Sequence, residues 1–337
     1  MSSLQILWFC LIGLLFSIFF FLEGFDFGVG MSLTTLAKDE DEVEQAMATI
    51  GPVWDGNEVW LLTAGGAMFA AMPYWYASLF SGYYLLMFII LGGLIVRGVS
   101  FEFRATHPNA KHKAFWGKMC AFGSFIVPFM FGLVFTSLIQ GMPIDAHGDM
   151  SASFFDYVNL LSVVGGIAVT LLCYLHGLNY LALRIDGELR NRAKEWAKKL
   201  YLVLYGGEVV FAVLLLIFTD FLAHSPIGTI GLLALIVLLT VIAHISVLKD
   251  KEKSAFLTSG LTFFALVSLL FQGLFPRVMI ARDVRFDILI RNASSSPYTL
   301  KVMTIVVVSV LPFVLAYTIW TYYIFRKRIG AERVHGY

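Results

Sequence analysis

Long apolar stretches, separated by short polar connections, make up most of the chain. A bilayer core about 30 Å thick takes ~20 mostly apolar residues per helix, so each stretch is long enough for one membrane span. The second stretch is short and rich in glycine, and its helix can begin as early as Trp54. The pattern predicts an all-α polytopic membrane protein with nine transmembrane helices, over residues 4–22, 59–74, 77–96, 115–140, 157–183, 200–221, 227–248, 255–275 and 302–325.

No long polar segment interrupts this series, so we expect a single integral membrane domain over residues 1–337. No charged residue precedes Glu23, and the first stretch therefore lacks the basic start of a cleaved signal peptide. We expect this stretch to remain as a helix.

The composition agrees with a membrane protein and excludes several other classes. Hydrophobic residues make up 59% of the chain and charged residues 14%, whereas soluble domains carry about 25% charged residues. The net charge of +1 offers no basic surface for nucleic acid. The cysteines are odd in number, far apart and without zinc-type spacing, so we expect small buried hydrophobic residues at Cys10, Cys120 and Cys173.

The distribution of basic residues predicts the orientation in the membrane. Most of the 24 lysines and arginines lie in the connections after spans 1, 3, 5 and 7 and in the C-terminal tail. Because positive residues are retained in the cytoplasm, the N-terminus should be outside and the C-terminus, with Arg326, Lys327 and Arg328, cytoplasmic. The connection after span 8 is an exception with mixed charge, which indicates a solvated loop: Arg277, Arg282, Asp283, Arg285, Asp287 and Arg291.

Four acidic residues lie where spans 1 and 2 meet the predicted cytoplasmic side. Glu23 and Asp26 are three residues apart, hence on one helix face, and so are Asp55 and Glu58. The predicted topology brings both pairs to the same membrane face. Few fixed cations occur in these segments, so burial and mutual repulsion should shift the carboxyls to titrate near neutral pH.

Two interpretations of the four acids remain open and are compatible. Carboxyls that titrate near neutral pH can pass protons inward from the cytoplasm. Alternatively the acids cap helix ends, since Asp26 and Asp55 adjoin glycines and Asp55 can serve as the N-cap of span 2.

Two further ionisable residues lie in or next to apolar stretches. Glu208 stands alone inside span 6 and should face a polar bundle interior or a partner subunit, because exposure to lipid is costly. Its role is undecided. Arg97 ends span 3 close to Glu102 and Arg104, a pattern typical of positive-inside anchoring with local ion pairs.

The sequence offers no convincing cofactor or metal site in this chain. His176 and His244 are the histidines within predicted spans, and a bis-His haem site between two helices is chemically allowed. A lone histidine near a helix end is more often a hydrogen-bonded or interfacial residue. Gly28-Val29-Gly30 lacks the third glycine of a dinucleotide fold, and neither a Walker loop nor a GxSxG motif occurs.

Several uninterrupted motifs resemble subunit II of the cytochrome bd-type quinol oxidases, the non-haem subunit. They are GFDFGVG at residues 24–30, WDGNEVWLLTAGGA at 54–67, FEFR at 101–104 and LKVM at 300–303. The resemblance covers the whole chain, although the later spans match in hydropathy more than in individual residues.

The resemblance implies a subunit of a terminal oxidase that oxidises membrane quinol, reduces O2 to water and takes its protons from the cytoplasm. Two haems of b type and one haem d (or b) belong to subunit I. Subunit II is implied to have two four-helix bundles plus one peripheral helix and no haem. The resemblance leaves open a structural quinone in this chain and a small third subunit.

The resemblance also suggests roles for particular residues. The proton path candidates are Asp55, the carboxylate of the WDGN motif, with Glu58, Glu23 and Asp26, and Trp60 matches a tryptophan linked to an oxygen route. Glu23 stands where relatives carry a different acid, which keeps the protonatable character of the position.

The expected partners are an obligate haem-bearing subunit I, membrane quinol and lipids in a bacterial or archaeal cell membrane. We expect the interface with subunit I to bury the faces lined by Gly24, Gly28, Gly65 and Gly66, because small residues permit close helix packing.

The alternative function is that of a proton-coupled secondary transporter. Transporters often have internal repeats and helices interrupted near the bilayer midplane. No clear repeat relates the two halves of this chain, and Glu208 is the feature that favours this alternative.

Overall fold

A computed structural model describes residues 1–106 and 108–330 of the chain. Its regular elements are α-helices, apart from a short 3-10 turn at Val284–Phe286 and an antiparallel ribbon of β1 (Arg277–Met279) and β2 (Ile288–Leu289). The helices in chain order are α1 (Ser3–Thr35), α2 (Glu40–Ile50), α3 (Trp54–Ala71), α4 (Pro73–Gly82), α5 (Tyr84–Ala105), α6 (Ala110–Gln140), α7 (Phe154–Tyr157), α8 (Leu160–Arg184), α9 (Glu188–Phe218), α10 (Phe221–His224), α11 (Pro226–Leu248), α12 (Glu252–Leu274), α13 (Ile290–Ala293) and α14 (Pro297–Ile324).

Among the described residues, eight helices are long and apolar enough to cross a membrane. They correspond to every predicted span except the second, so an all-helical, multi-span architecture is confirmed. The eight are α1, α5, α6, α8, α9, α11, α12 and α14.

The second predicted span is divided between two helices. The first, α3, begins at Trp54, five residues before the predicted start, and ends at Ala71. Met72 leaves helical geometry (φ −137°, ψ 63°), and Pro73 then begins α4. Polar residues in the first turns make α3 less apolar than the eight long helices, so a ninth span stays a prediction.

The first helix is much longer than the sequence predicted. It continues past Leu22 to Thr35, so its 33 residues extend over about 50 Å. It packs against α3, α6, α8 and α12 and is buried for most of its length. Glu23 and Asp26 therefore lie inside a helix and not at its end.

Glycine allows α1 and α8 to cross in close contact. A Cβ atom on Gly28 would lie 2.6 Å from the Cα of Gly177, and one on Gly177 would lie 2.4 Å from the Cα of Gly28. Lipid is as apolar as the helix surfaces, so such close packing, more than the hydrophobic effect, holds membrane helices together. One turn earlier, Gly24 faces Phe263 of α12 and Cys173 of α8.

The last long helix, α14, lies at the periphery. Leu300 is its single buried residue among those described. Trp8 donates a hydrogen bond from Nε1 to the carbonyl oxygen of Leu300 (3.2 Å) and contacts the Thr304 hydroxyl (3.0 Å), which fixes one end. Near the other end, Tyr322 donates to Oδ1 of Asn57 in α3 (2.7 Å).

The connection after α12 is more ordered than the expected solvated loop. Arg277 is buried and holds Asp220 through two hydrogen bonds of 2.6 and 3.0 Å. Arg282 forms an ion pair with Asp156. The solvated-loop expectation is wrong for Arg277 and fits the exposed Arg285, which pairs with the neighbouring Asp283.

Ion pairs attach the short helix α2 to the helices α5, α6 and α9. Glu40 pairs with Arg104 and Glu42 with Arg192, and Lys113 approaches Glu44 at 2.6 Å. The hydrogen bond from the Arg192 guanidinium lowers the pKa of Glu42 below its usual value. The ionised Glu42 carboxylate is therefore the stable form at neutral pH. The attachment of α2 weakens only when acidification protonates this carboxylate.

Candidate functional site

Three of the four predicted acids surround a buried arginine. Glu23 and Asp26 of α1 and Arg97 of α5 are fully buried. Arg97 forms an ion pair with Glu23 through Nη1, and the same nitrogen lies 3.7 Å from Oε2 of Glu58 in α3. The expectation of few fixed cations holds within the two acidic segments, but it did not include α5, which packs beside them and supplies Arg97.

Aromatic rings surround the guanidinium of Arg97. Its Cζ atom lies 5.0 Å from the ring centroid of Phe27. The ring centroids of Trp54 and Phe101 are 6.0 and 5.8 Å from the same atom. Trp54 and Phe101 stack on each other at 4.8 Å. Cation–π attraction is strongest where water is excluded, so these rings help to keep the charge buried.

A hydrogen-bonded chain leads from Asp26 to the peripheral helix. Asn57 donates from Nδ2 to Oδ2 of Asp26 (2.6 Å), and its Oδ1 accepts from the Tyr322 hydroxyl (2.7 Å). Asn57 is buried on the inward face of α3. Asn57 belongs to the WDGN motif but had no predicted role, and Tyr322 was not predicted because it lies 265 positions away.

Several buried polar atoms of this cluster have no hydrogen-bond partner within the described residues. A buried carboxyl oxygen without a donor is costly when charged, so these groups favour protonation or hydration. The arrangement can therefore hold and exchange protons. The atoms are Oε2 of Glu23, Oδ1 of Asp26, Oε2 of Glu58, and Nε and Nη2 of Arg97.

Asp55 lies apart from the buried cluster. It is exposed in the first turn of α3, three residues before Glu58. The capping interpretation is wrong for both aspartates: Val53 occupies the N-cap of α3 without a side-chain bond, and Asp26 is in the interior of α1. Trp60, the oxygen-route candidate, is buried and lines an apolar groove between α1, α3, α12 and α14.

The four glycines predicted to line a partner interface divide into two pairs. Gly24 and Gly28 contact α8 and α12 of this chain, so that prediction was wrong for them. Gly65 and Gly66 have open space where a Cβ atom would be. The outward face of α3 is therefore available for a partner.

Glu208 lines an apolar cavity, which has a volume of about 300 Å³ and lies among α1, α6, α8, α9, α11 and α12. Its Oε1 atom is buried without a hydrogen-bond partner in the described residues. The other polar side chain of the cavity wall is Thr136, whose hydroxyl donates to the carbonyl oxygen of Gly132 (2.6 Å).

The two histidines of the spans have hydrogen-bond partners within the chain. His176 bonds the Ser259 hydroxyl (2.8 Å) and the carbonyl oxygen of Phe21 (3.0 Å). His244 bonds the Tyr205 hydroxyl at 2.9 Å. Over residues 1–106 and 108–330, no group of three or more His, Cys, Asp or Glu side chains is placed to hold a metal ion.

Comparison with known proteins gives a consistent result. Residues 4–325 match the family model described as cytochrome bd terminal oxidase subunit II. Cytochrome bd ubiquinol oxidase subunit 2 of Bacillus subtilis is 46% identical over 331 residues, which cover 98% of each chain. Cytochrome bd-I ubiquinol oxidase subunit 2 of Escherichia coli is 31% identical over 98% of this chain and 96% of the relative.

A solved structure supports the fold. The bd oxidase of Geobacillus thermodenitrificans contains a chain that superimposes with a TM-score of 0.74, covering 97% of this chain and all of that one. The two sequences are 14% identical, so this likeness concerns the fold alone.

Proposed function

The chain belongs to the family of cytochrome bd terminal oxidase subunit II, and we propose that it carries protons from the cytoplasm toward a haem-bearing subunit I. As such a subunit it is part of a quinol-oxidising oxidoreductase complex, which replaces the secondary-transporter alternative. The observation that carries the proposal is a series of acidic residues whose burial increases from the surface to the interior. Asp55 is exposed, the side chain of Glu58 is 25% exposed, and Glu23 and Asp26 are fully buried.

The proposed route begins at Asp55 and continues to Glu58 one helical turn away. Glu58 and Glu23 both approach Arg97, whose fixed charge reduces the cost of an ionised carboxyl in the interior. Asp26 then connects to Asn57 and Tyr322. Each proton passes between neighbouring groups or through intervening water.

The Asp55→Asn variant tests the entrance of this route. We expect slower quinol-driven O2 consumption or a shifted pH optimum in a complex that still assembles. Water can partly replace an exposed carboxylate, so the loss should be well below the ~10²-fold that a positioned proton-transfer group typically contributes. The measurement is O2 uptake against pH with the purified complex.

Asp41→Asn provides the matched control, because Asp41 is another exposed carboxylate, on α2 and outside the cluster. It should leave the rate and the pH profile unchanged. A fully assembled Asp55→Asn complex with the wild-type rate and profile would remove Asp55 from the route.

We propose the outward face of α3 as part of the contact with subunit I in an obligate heterodimer. Val59, Leu62 and Phe69 are exposed at helical spacing on this face, beside the open glycines Gly65 and Gly66. Burying this apolar stripe against a second polytopic subunit suits close helix packing. A small third subunit stays a prediction without a proposed surface.

For the membrane arrangement we propose nine spans, with α3 as the second, in two four-helix bundles with α14 as the peripheral helix. The clustering of basic residues supports an outside N-terminus and a cytoplasmic C-terminus. The family supports the bacterial plasma membrane as the location.

We further propose that the haems of the complex are bound by subunit I. The chain purified without subunit I should then show no Soret absorbance in its reduced-minus-oxidised spectrum. The intact complex, recorded at the same protein concentration, is the control. A stoichiometric haem signal from this chain alone would contradict the proposal and direct attention to His176 and His244.

A structural quinone in this chain also stays a prediction. The apolar cavity beside Glu208 suits an isoprenoid chain in its chemistry. A quinone carbonyl there would need the protonated Glu208 carboxyl as its donor, because Thr136 already donates to Gly132.

A further inference from the structure

Basic residues from two distant parts of the chain line one pocket at the predicted cytoplasmic surface. The pocket has a volume of about 500 Å³ and lies between the α11–α12 connection and the end of α14. Lys251 comes from the connection, Lys253 from the first turn of α12 and Arg326 from the segment after α14. The positive-inside rule accounts for basic residues on the cytoplasmic side. It does not require that residues from distant parts of the chain line the same pocket.

Hydrogen bonds to α8 and α2 hold the segment after α14 in place. The backbone N–H of Ile329 donates to the carbonyl oxygen of Arg184 (2.9 Å), and Arg184 donates through Nη1 to the carbonyl oxygen of Lys327 (2.8 Å). Gln45 donates from Nε2 to Ile329 (2.9 Å). The position of Arg326 is therefore fixed by tertiary structure.

The acidic residues of the pocket are paired with other cations. Asp250 forms an ion pair with Lys194, and Glu252 pairs with both Arg190 and Arg328. The pocket thus retains a net positive charge from the remaining basic side chains.

Lys251, Lys253 and Arg326 have no carboxylate partner within the part of the chain that the structure describes. Arg326 is oriented by a hydrogen bond to the carbonyl oxygen of Tyr323 (2.7 Å) and by the Tyr323 ring, 3.6 Å away. These three cations can therefore face one anionic group.

An apolar groove begins about one helical turn from this pocket and follows the long helices. It has a volume of about 450 Å³ and is lined by side chains of α1, α3, α12 and α14. Phe256 of the groove is three residues from Lys253 of the pocket, on the same face of α12, and Tyr322 is one helical turn, about 6 Å, from Arg326. The pocket and groove together form an elongated site that is positively charged at one end and apolar along the rest.

We propose that this pocket and groove bind an anionic phospholipid of the cytoplasmic leaflet. The phosphate lies against Lys251, Lys253 and Arg326, and the acyl chains occupy the groove. Basic pockets between helices on this side of a membrane are suited to anionic headgroups, and each cation near such a surface strengthens binding by a factor of about five. A neutral lipid or a quinone would leave the three cations without a counter-charge.

The test measures lipid binding by the intact purified oxidase complex with native mass spectrometry. The probes are phosphatidylglycerol and phosphatidylcholine with identical acyl chains. The variant Lys251→Gln/Lys253→Gln/Arg326→Gln should weaken phosphatidylglycerol binding about tenfold or more. Wild-type complex should prefer phosphatidylglycerol to phosphatidylcholine by a similar factor.

Two matched variants and one competitor complete the test. Lys251→Arg/Lys253→Arg/Arg326→Lys keeps the charge, and Lys111→Gln/Lys118→Gln/Lys199→Gln removes three exposed cations elsewhere, so both should bind like wild type. Inorganic phosphate should not displace the lipid, because it cannot occupy the groove. Equal binding by the glutamine variant, equal binding of both lipids, displacement by phosphate, or a quinone or subunit I found in the groove would overturn the proposal.

Discussion

The Arg97→Met variant should assemble poorly and unfold at a much lower temperature than the wild-type complex. Arg97 is fully buried and lies between Glu23 and Glu58, so its removal leaves carboxyls in the interior without their cation. Breaking a buried ion pair by removing one partner typically costs about 3–5 kcal/mol. The measurements are the yield of assembled complex on a native gel and its unfolding temperature by fluorescence.

Three comparison variants separate charge from packing. Arg97→Lys keeps the charge and should retain more stability than Arg97→Met. The double variant Glu23→Met/Arg97→Met removes the pair together and should recover part of the loss, because apolar replacements of buried pairs are often tolerated. Arg285→Met removes an exposed arginine and should leave the stability close to that of the wild type, because water screens exposed ion pairs. Wild-type stability of Arg97→Met would contradict the importance of the buried pair.

Hydropathy predicted the long helices because the bilayer requires apolar segments of a set length. It failed at the end of α1, where the sequence EGFDFGVG looks like a polar, flexible exit from the membrane. The helix continues because tertiary partners satisfy this segment. Arg97, 74 positions away, pairs with Glu23, and the glycines pack against α8. A pattern read along one segment contains no information about such partners.

The sequence predicted only part of the candidate site, because spacing along one segment does not show which residues of other helices lie beside it. Spacing of three residues correctly associated Glu23 with Asp26, but spacing alone does not decide which face of α3 points inward. The inward face carries Asn57 and Trp60, whereas Asp55 is exposed. Arg97 directly follows an apolar stretch, and that position was the available sign that its charge belongs to the interior.

The Gly28→Ala variant should disrupt the packing of α1 on α8. The added Cβ would lie 2.2 Å from the carbonyl oxygen of Cys173 and 2.6 Å from the Cα of Gly177, and neither backbone can move aside like a flexible side chain. Overpacking of this kind costs typically 1–3 kcal/mol and more when backbone must shift, so we expect roughly 3 kcal/mol. Cys173 is buried at this contact and reports on it.

Maleimide labelling of Cys173 in a Cys10→Ser background measures the disruption directly, because Cys10 is the exposed cysteine and would otherwise react. Labelling should be slow in the parent chain and clearly faster with Gly28→Ala. Gly231→Ala in α11 is the control, since its Cβ meets nothing within 4 Å and alanine favours the helix. Gly66→Ala should leave Cys173 protected and affect only assembly with subunit I. Slow labelling of Cys173 in the Gly28→Ala variant would show that α1 and α8 can separate slightly without exposing their contact. Close backbone contact would then not be needed to hold the acidic residues of α1 in place.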